Sequence, residues 1–150
     1  MSRAITIIQI TDTHLTADQR PLHDAVDTEA QLRHIVGRVT HAERQVDAIV
    51  FSGDLSNDGS AASYARLRAI ISPLTAATGA EIIHLPGNHD DLEAYRAALG
   101  RPPDFDRAVD VGGLRIIALD STRPQRHDGL LTEAQLEWLA EQIGTAPELG

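Results

Sequence analysis

Asp12-Thr13-His14, Gly53-Asp54 running on to Asp58-Gly59, and Gly87-Asn88-His89-Asp90 follow one another along the chain, with a weaker Asp120-Ser121 after them. Carboxylate, imidazole and amide groups are donors for hard and borderline divalent cations, and glycine beside them lets the backbone approach a charged ligand closely. Asp12 and His14, on a chain leaving a strand, can turn to one side and chelate one cation. Asp54, set in a glycine turn, has two oxygens with which to bridge a pair of cations about 3.5–4 Å apart. Asn88 offers a neutral carbonyl oxygen that ligates without adding charge. His89 can give a proton to a leaving oxygen, and Asp90 is a candidate to orient its ring. Two cations so held would activate water for in-line attack on phosphorus, the chemistry of a metal-assisted phosphoester hydrolase. Asp12, Asp54 and Asn88 also suit plain turns. Their order at the ends of successive strands favours a site.

The remaining candidates carry less chemistry. His23 and His127 fall in loops that could lean over such a site and contact substrate. His34 and His41 lie on one helix and read as solvated. His84, inside a strand, reads as a packed or hydrogen-bonded residue. Asp120 reads as a turn former or a support behind the ligands, and Trp138 as core.

The elements that must position these groups are visible as periodic runs. Ala4 to Ile10 reads as a largely buried first strand, Ala48 to Phe51 as a second and Ile82 to Leu85 as a third. Thr28 and Gln31 form a candidate capping box before Leu32, Ile35, Val36 and Val39, which recur at helical spacing. Tyr64, Leu67, Ile70, Ile71 and Leu74 mark a second helix before Gly79, which Pro73 should kink or end near Ser72. Leu92 to Leu99 reads as a short helix closed by Gly100. A proline-marked loop follows over Arg101 to Asp106. Val109 to Val111 and Leu114 to Leu119 flank Gly112-Gly113 as a hairpin that adds an antiparallel strand. Thr132 and Gln135 suggest a capping box for a last helix with Leu136, Leu139 and Ile143 on its apolar side. Strand alternating with helix implies an α/β fold with a mostly parallel sheet, whose ligands bind beyond the carboxyl ends of the strands.

Composition bounds the function further. A chain of 150 residues fits a single domain spanning 1–150, with no linker or repeat. Its formal charge of −9, from 22 acidic and 13 basic residues, repels polyanions, so a small substrate is expected rather than a nucleic-acid polymer or a membrane. Without cysteine, metal ligation must come from oxygen and imidazole. The apolar N-terminal stretch is too short for a secretory segment, so a cytoplasmic address is the default.

Ile10-Thr11-Asp12-Thr13-His14-Leu15, Gly53-Asp54-Leu55-Ser56-Asn57-Asp58-Gly59 and Gly87-Asn88-His89-Asp90 resemble the first three motifs of the calcineurin-like metallophosphoesterases, in particular the bacterial class III cyclic nucleotide phosphodiesterases. Asp24 to Asp27, Leu114 to Ser121 and Gly129 to Leu139 support the resemblance, which covers essentially the whole chain. It implies a four-layered α/β/β/α sandwich with a dinuclear centre of iron, manganese or zinc. Asp12 and His14 would hold the first metal, Asp54 would bridge, Asn88 would hold the second and His89 would act on the leaving group. Such families continue to a histidine in a His-Pro-rich turn and to a Gly-His-x-His motif, whereas this chain runs to Gly150 without either. The 150 residues are therefore expected to form the N-terminal half of the sandwich, with the C-terminal half absent and an apolar face uncovered. Weak or absent turnover and possible homo-oligomerisation follow from that expectation. The implied substrates are cyclic nucleotides or other small phosphodiesters. A phosphomonoesterase, a glycerophosphodiester hydrolase and a non-catalytic module binding one metal or phosphate are the alternatives.

Overall fold

The short apolar runs become strands of one parallel sheet, and their register brings the strand ends level. The computed structural model describes residues 3–100 and 105–147. Strands β1 (Ile7–Ile10), β2 (Ala48–Ser52) and β3 (Glu81–Leu85) lie in the order β1-β2-β3, both pairs parallel. Ile10 pairs with Phe51 and Phe51 with His84, so the segments that leave the three strands emerge along one edge. Helices α1 (Thr28–Thr40), α2 (Ala61–Thr78) and α3 (Leu92–Leu99) follow the strands in turn. Leu32, Val36 and Val39 of α1, Tyr64, Leu67, Ile70 and Leu74 of α2 and Tyr95 of α3 join Ile10, Ile49 and Phe51 in one buried cluster. Apolar side chains recurring every third or fourth residue make that joint burial possible.

Several expectations change on contact with the structure. The first strand is shorter than Ala4 to Ile10 and is not largely buried. It sits at the edge of the sheet, with Ile7 exposed, Ile8 half-buried and Ile10 buried, because alternate residues point to opposite faces. Asp27, not Thr28, caps α1 by accepting from Ala30 N, while the Thr28 hydroxyl donates to the His14 carbonyl at 3.2 Å. Pro73 does not end α2, which continues to Thr78. Proline removes the N–H that would serve the Ala69 carbonyl. The Ser72 hydroxyl donates to that carbonyl at 3.2 Å instead, and Leu74 beyond the proline is fully buried.

The later half departs most. Strands β4 (Arg107–Val111) and β5 (Leu114–Ala118) pair antiparallel through Gly112 and Gly113, whose φ of 59° and 93° suit a primed turn. They form a two-stranded sheet of their own and do not extend the parallel one. Helix α4 (Glu133–Gly144) opens on the expected capping box of Thr132 and Gln135. It buries no residue, so Leu136 and Ile143 are exposed and Trp138 is half-buried, not core. Most of the proline-marked loop, residues 101–104, lies outside the described residues. No helix among the described residues is long and apolar enough to cross a membrane.

Candidate metal centre

The loops leaving β1, β2 and β3 are laced together by backbone hydrogen bonds. Asp12 N donates to Gly53 O at 3.1 Å, His14 N to Asp54 O at 2.9 Å, and Gly53 N to Leu85 O at 3.2 Å. The Thr13 hydroxyl adds a buried bond to Leu55 O at 2.8 Å. Asp12, His14 and Asp54 take left-handed backbone conformations, with φ of 55°, 39° and 50°. Such conformations are costly for non-glycine residues and gather where a site holds them in place.

This lacing turns the functional atoms of the three side chains toward one another. One oxygen of Asp12 accepts the Thr11 hydroxyl, while Oδ1 faces the His14 ring, whose Nε2 is 3.7 Å away. Asp54 repeats the arrangement. Its Oδ1 accepts His89 N at 3.0 Å, and Oδ2 lies 3.9 Å from the same Nε2. Distances of 3.7 and 3.9 Å are too long for hydrogen bonds. Two donors each about 2.0–2.2 Å from one cation stand at comparable separations. His14 Nδ1 is buried without a hydrogen-bond partner among the described residues. Asp12, His14 and Asp54 form the one group of acidic and histidine side chains among the described residues whose ligand atoms all lie within 4.8 Å of one another. Two carboxylates and an imidazole are a donor set that suits a divalent cation.

Close approach of the third loop depends on Gly87. A Cβ there would stand 2.2 Å from Asp54 Oδ1 and 2.3 Å from Asp54 N, closer than any carbon can lie. Only glycine lets Asn88 and His89 come up beside Asp54. Asn88 is exposed and lines a cleft of about 220 Å³ together with Asp12, Asp54, Gly87, Arg126 and His127. Its amide Nδ2 meets His127 Nδ1 at 2.9 Å, so the β5–α4 loop does lean over the site.

His89 and Asp90, adjacent in sequence, face different ways. The exposed His89 ring packs edge-on against the His14 ring, with centroids 4.9 Å apart. Its Nδ1 lies 3.3 Å from Asn57 O, and since a carbonyl only accepts, the proton is assigned to Nδ1. Asp90 does not orient that ring. Its oxygens accept from Leu55 N, Ser56 N, Gly87 N and the Tyr64 hydroxyl.

His23 is not in this cleft. It lines a neighbouring hollow of about 410 Å³ with Thr16, Arg20, Leu22, Asn57 and Asp58, so Asn57 belongs to both neighbourhoods. Asp58, part of the second cluster in sequence, joins the loops and not the donor group. Burial would raise its pKa, but bonds from Ala17 N, from the Ser60 backbone and from Ser56 hold it at about 2. His34 is exposed, and His41 Nδ1 meets Gly37 O at 2.7 Å. His84 is buried against the Tyr95 hydroxyl at 2.7 Å. Asp120 accepts from Thr122 N and Thr122 Oγ1, a turn role. Thr11, Tyr64 and the Asn57 carbonyl were not foreseen. Thr11 could have been suspected from its place beside Asp12, whereas no sequence signal marks Tyr64 as a neighbour of Asp90.

Known proteins resemble this chain over nearly its whole length. The family model for calcineurin-like phosphoesterase matches residues 5–146. A cAMP/cGMP dual specificity phosphodiesterase of Mycobacterium tuberculosis is 40% identical over 95% of this chain and 46% of its own length. A 3′,5′-cyclic adenosine monophosphate phosphodiesterase of Pseudomonas aeruginosa is 34% identical over 97% of the chain and 52% of its own. A glycerophosphodiester phosphodiesterase of Enterobacter lignolyticus is 30% identical over 93% and 52%. The chain thus spans about half the length of the curated relatives it matches. A purple acid phosphatase from yellow lupin (Lupinus luteus) seeds shares the fold, with a TM-score of 0.60 at 15% identity over 97% of this chain and 28% of the other.

Proposed function

Because this chain belongs to the calcineurin-like phosphoesterase family, we propose that its three loops form part of a dinuclear centre for hydrolysis of small phosphodiesters, cyclic nucleotides foremost. The observation that carries the reading is the convergence of Asp12, His14 and Asp54 donor atoms within 4.8 Å. Asp12 and His14 would hold one ion, Asp54 would offer oxygens to both, and Asn88 would offer its amide oxygen to the second. Divalent ions of iron, manganese or zinc held there supply electrophilic stabilisation of phosphoryl charge and a water nucleophile at neutral pH.

The remaining steps belong to the chain's own residues. His89 is exposed beside His14, and with Nδ1–H turned to the Asn57 carbonyl its Nε2 is the atom left to serve the leaving oxygen; it gives up a proton there from the imidazolium form, which leaves the neutral Nδ1–H ring behind. His127, across the cleft, contacts the phosphoryl side of the substrate, and His23 the far portion lying in the neighbouring hollow. Asp90 braces the backbone of the loops that carry Asp54 and Asn88. The charge of −9 disfavours polyanions and keeps the substrate small. The Mycobacterium and Pseudomonas relatives named for cyclic nucleotides, at 40% and 34% identity, are more similar than the Enterobacter one named for glycerophosphodiesters at 30%, which orders the substrate readings but leaves the second in play.

Asp12, His14, Asp54 and Asn88 are few donors for two ions, so the 150 residues alone would hold the second ion weakly and turn over slowly. The test therefore reads metal first. Manganese should raise the melting temperature of the wild type, because a ligand that prefers the folded state stabilises it. Asp54→Asn should abolish that rise. Hydrolysis of cyclic AMP, glycerophosphodiesters and nitrophenyl esters is then compared with manganese present. No thermal shift at saturating manganese would sink the proposal.

A further inference from the structure

Asp90 occupies a position that its neighbours in the third motif do not share. Its Oδ2 accepts from Gly87 N at 2.7 Å and Leu55 N at 3.1 Å, and its Oδ1 from Ser56 N at 2.9 Å and the Tyr64 hydroxyl at 2.8 Å. Leu55 directly follows Asp54, and Gly87 directly precedes Asn88. One carboxylate therefore ties together the two loops that carry these candidate ligands. All of its donors are neutral N–H and O–H groups, so the anion is held by oriented dipoles alone.

The Tyr64 hydroxyl anchors this knot to the core. Tyr64 is fully buried on α2, and its ring packs against the Tyr95 ring with centroids 5.6 Å apart. A helix locked into the core is a fixed reference from which a loop can be held. Without the hydroxyl, Asp90 Oδ1 would keep only Ser56 N, and the carboxylate could rotate and let the Asp54 and Asn88 loops separate. Gly87 already sits against Asp54 with no room for a Cβ, so small shifts between the loops change the donor geometry.

We infer that Tyr64, acting through Asp90, is a positioning residue that sets the spacing between the Asp54 and Asn88 loops and so the affinity of the metal centre. The inference rests on the metal-binding reading above. It places a determinant of that centre on α2, outside all three motifs.

Tyr95 supplies the matched control. It is equally buried and its hydroxyl is also hydrogen bonded, but to His84 Nδ1 at 2.7 Å and not to Asp90. Tyr64→Phe and Tyr95→Phe each keep the ring and lose one buried hydroxyl bond. Binding of Mn²⁺ to the 150-residue chain is read from loss of the free-ion electron paramagnetic resonance signal, and folding from circular dichroism melts in EDTA. Tyr64→Phe is expected to weaken Mn²⁺ by about tenfold or more, as loss of groups that orient ligands does, while Tyr95→Phe leaves affinity unchanged at a comparable melting temperature. Equal affinities for the two variants overturn the inference and leave the metal reading intact. A folded wild type that binds no Mn²⁺ overturns both. Asp90→Asn, which turns an NH₂ group onto backbone donors, should weaken Mn²⁺ at least as much as Tyr64→Phe, and wild-type affinity in that variant also overturns the inference.

Discussion

His84 shows how one buried side chain makes the fold sensitive to acid. Burial, with a smaller contribution from the Arg107 charge, lowers its pKa from the usual 6.5 to about 4. As pH falls from 6.5 toward 4, the unfolded chain binds a proton that the folded chain refuses. The stabilisation is complete above the unfolded value and is lost on going down through that window. The full loss amounts to about 3 kcal/mol, at roughly 1.4 kcal/mol per pH unit of separation. Urea midpoints at pH 7 and 4.5 should differ in the wild type and differ less in His84→Gln, which can still pair with the Tyr95 hydroxyl. Asp58 does not obscure the window. With its pKa held at about 2 against an ordinary 3.8, it contributes stability that disappears only at lower pH. Equal midpoint changes in wild type and variant would show that His84 is not the sensor.

At the scale of elements, caps and long-range bonds decide where helices start and stop. Asp27 caps α1 through Ala30 N at 2.8 Å, whereas Thr28, the expected cap, reaches across to the His14 carbonyl. Asp27→Ala should therefore cost about 1 kcal/mol, seen as a lower denaturant midpoint. Thr28→Ala should cost helix capping nothing and instead loosen the segment around His14, with hydrogen exchange at Leu15 and its neighbours as the readout. If Thr28→Ala destabilises as a cap does and Asp27→Ala is silent, the assignment is wrong. The local pattern Thr28…Gln31 satisfies the sequence rule for a cap, but the carbonyl that claims Thr28 belongs to another loop. Helix α2 makes the same point, since Pro73 is tolerated by the bond from Ser72 and by burial of Leu74 beyond it.

Across the whole molecule, burial is concentrated in the first three strand–helix pairs. Leu67 on α2 is 1% exposed, while Leu136 on α4 is 50% exposed although both sit in helical apolar stripes. Leu67→Ala should cost about 2–5 kcal/mol by transfer and cavity formation. Leu136→Ala should change stability by no more than about 0.5 kcal/mol, as exposed substitutions do. Chemical denaturation of the two variants measures the contrast, and a large loss for Leu136→Ala would mean that α4 is covered in solution. The chain spans about half the length of its curated relatives.

Much of the architecture and the donor set was legible without coordinates. The apolar runs Ala48 to Phe51 and Ile82 to Leu85, the helix Leu92 to Leu99 and the hairpin at Gly112-Gly113 are written in local periodicity and turn chemistry, which act over a few residues. The Asp12, His14 and Asp54 donors were recognisable because ligand chemistry is a property of residue type, and their strand-end positions follow from those same local patterns. Only the tertiary structure decided which oxygen of each carboxylate faces His14, that Asp90 serves the backbone and not the His89 ring, and that Tyr64 stands behind it. It also placed His127 in the cleft and His23 outside it, and kept the hairpin apart from the parallel sheet. These outcomes depend on register and packing between segments distant in sequence, where many partners compete for each donor and a local rule cannot say which one is near.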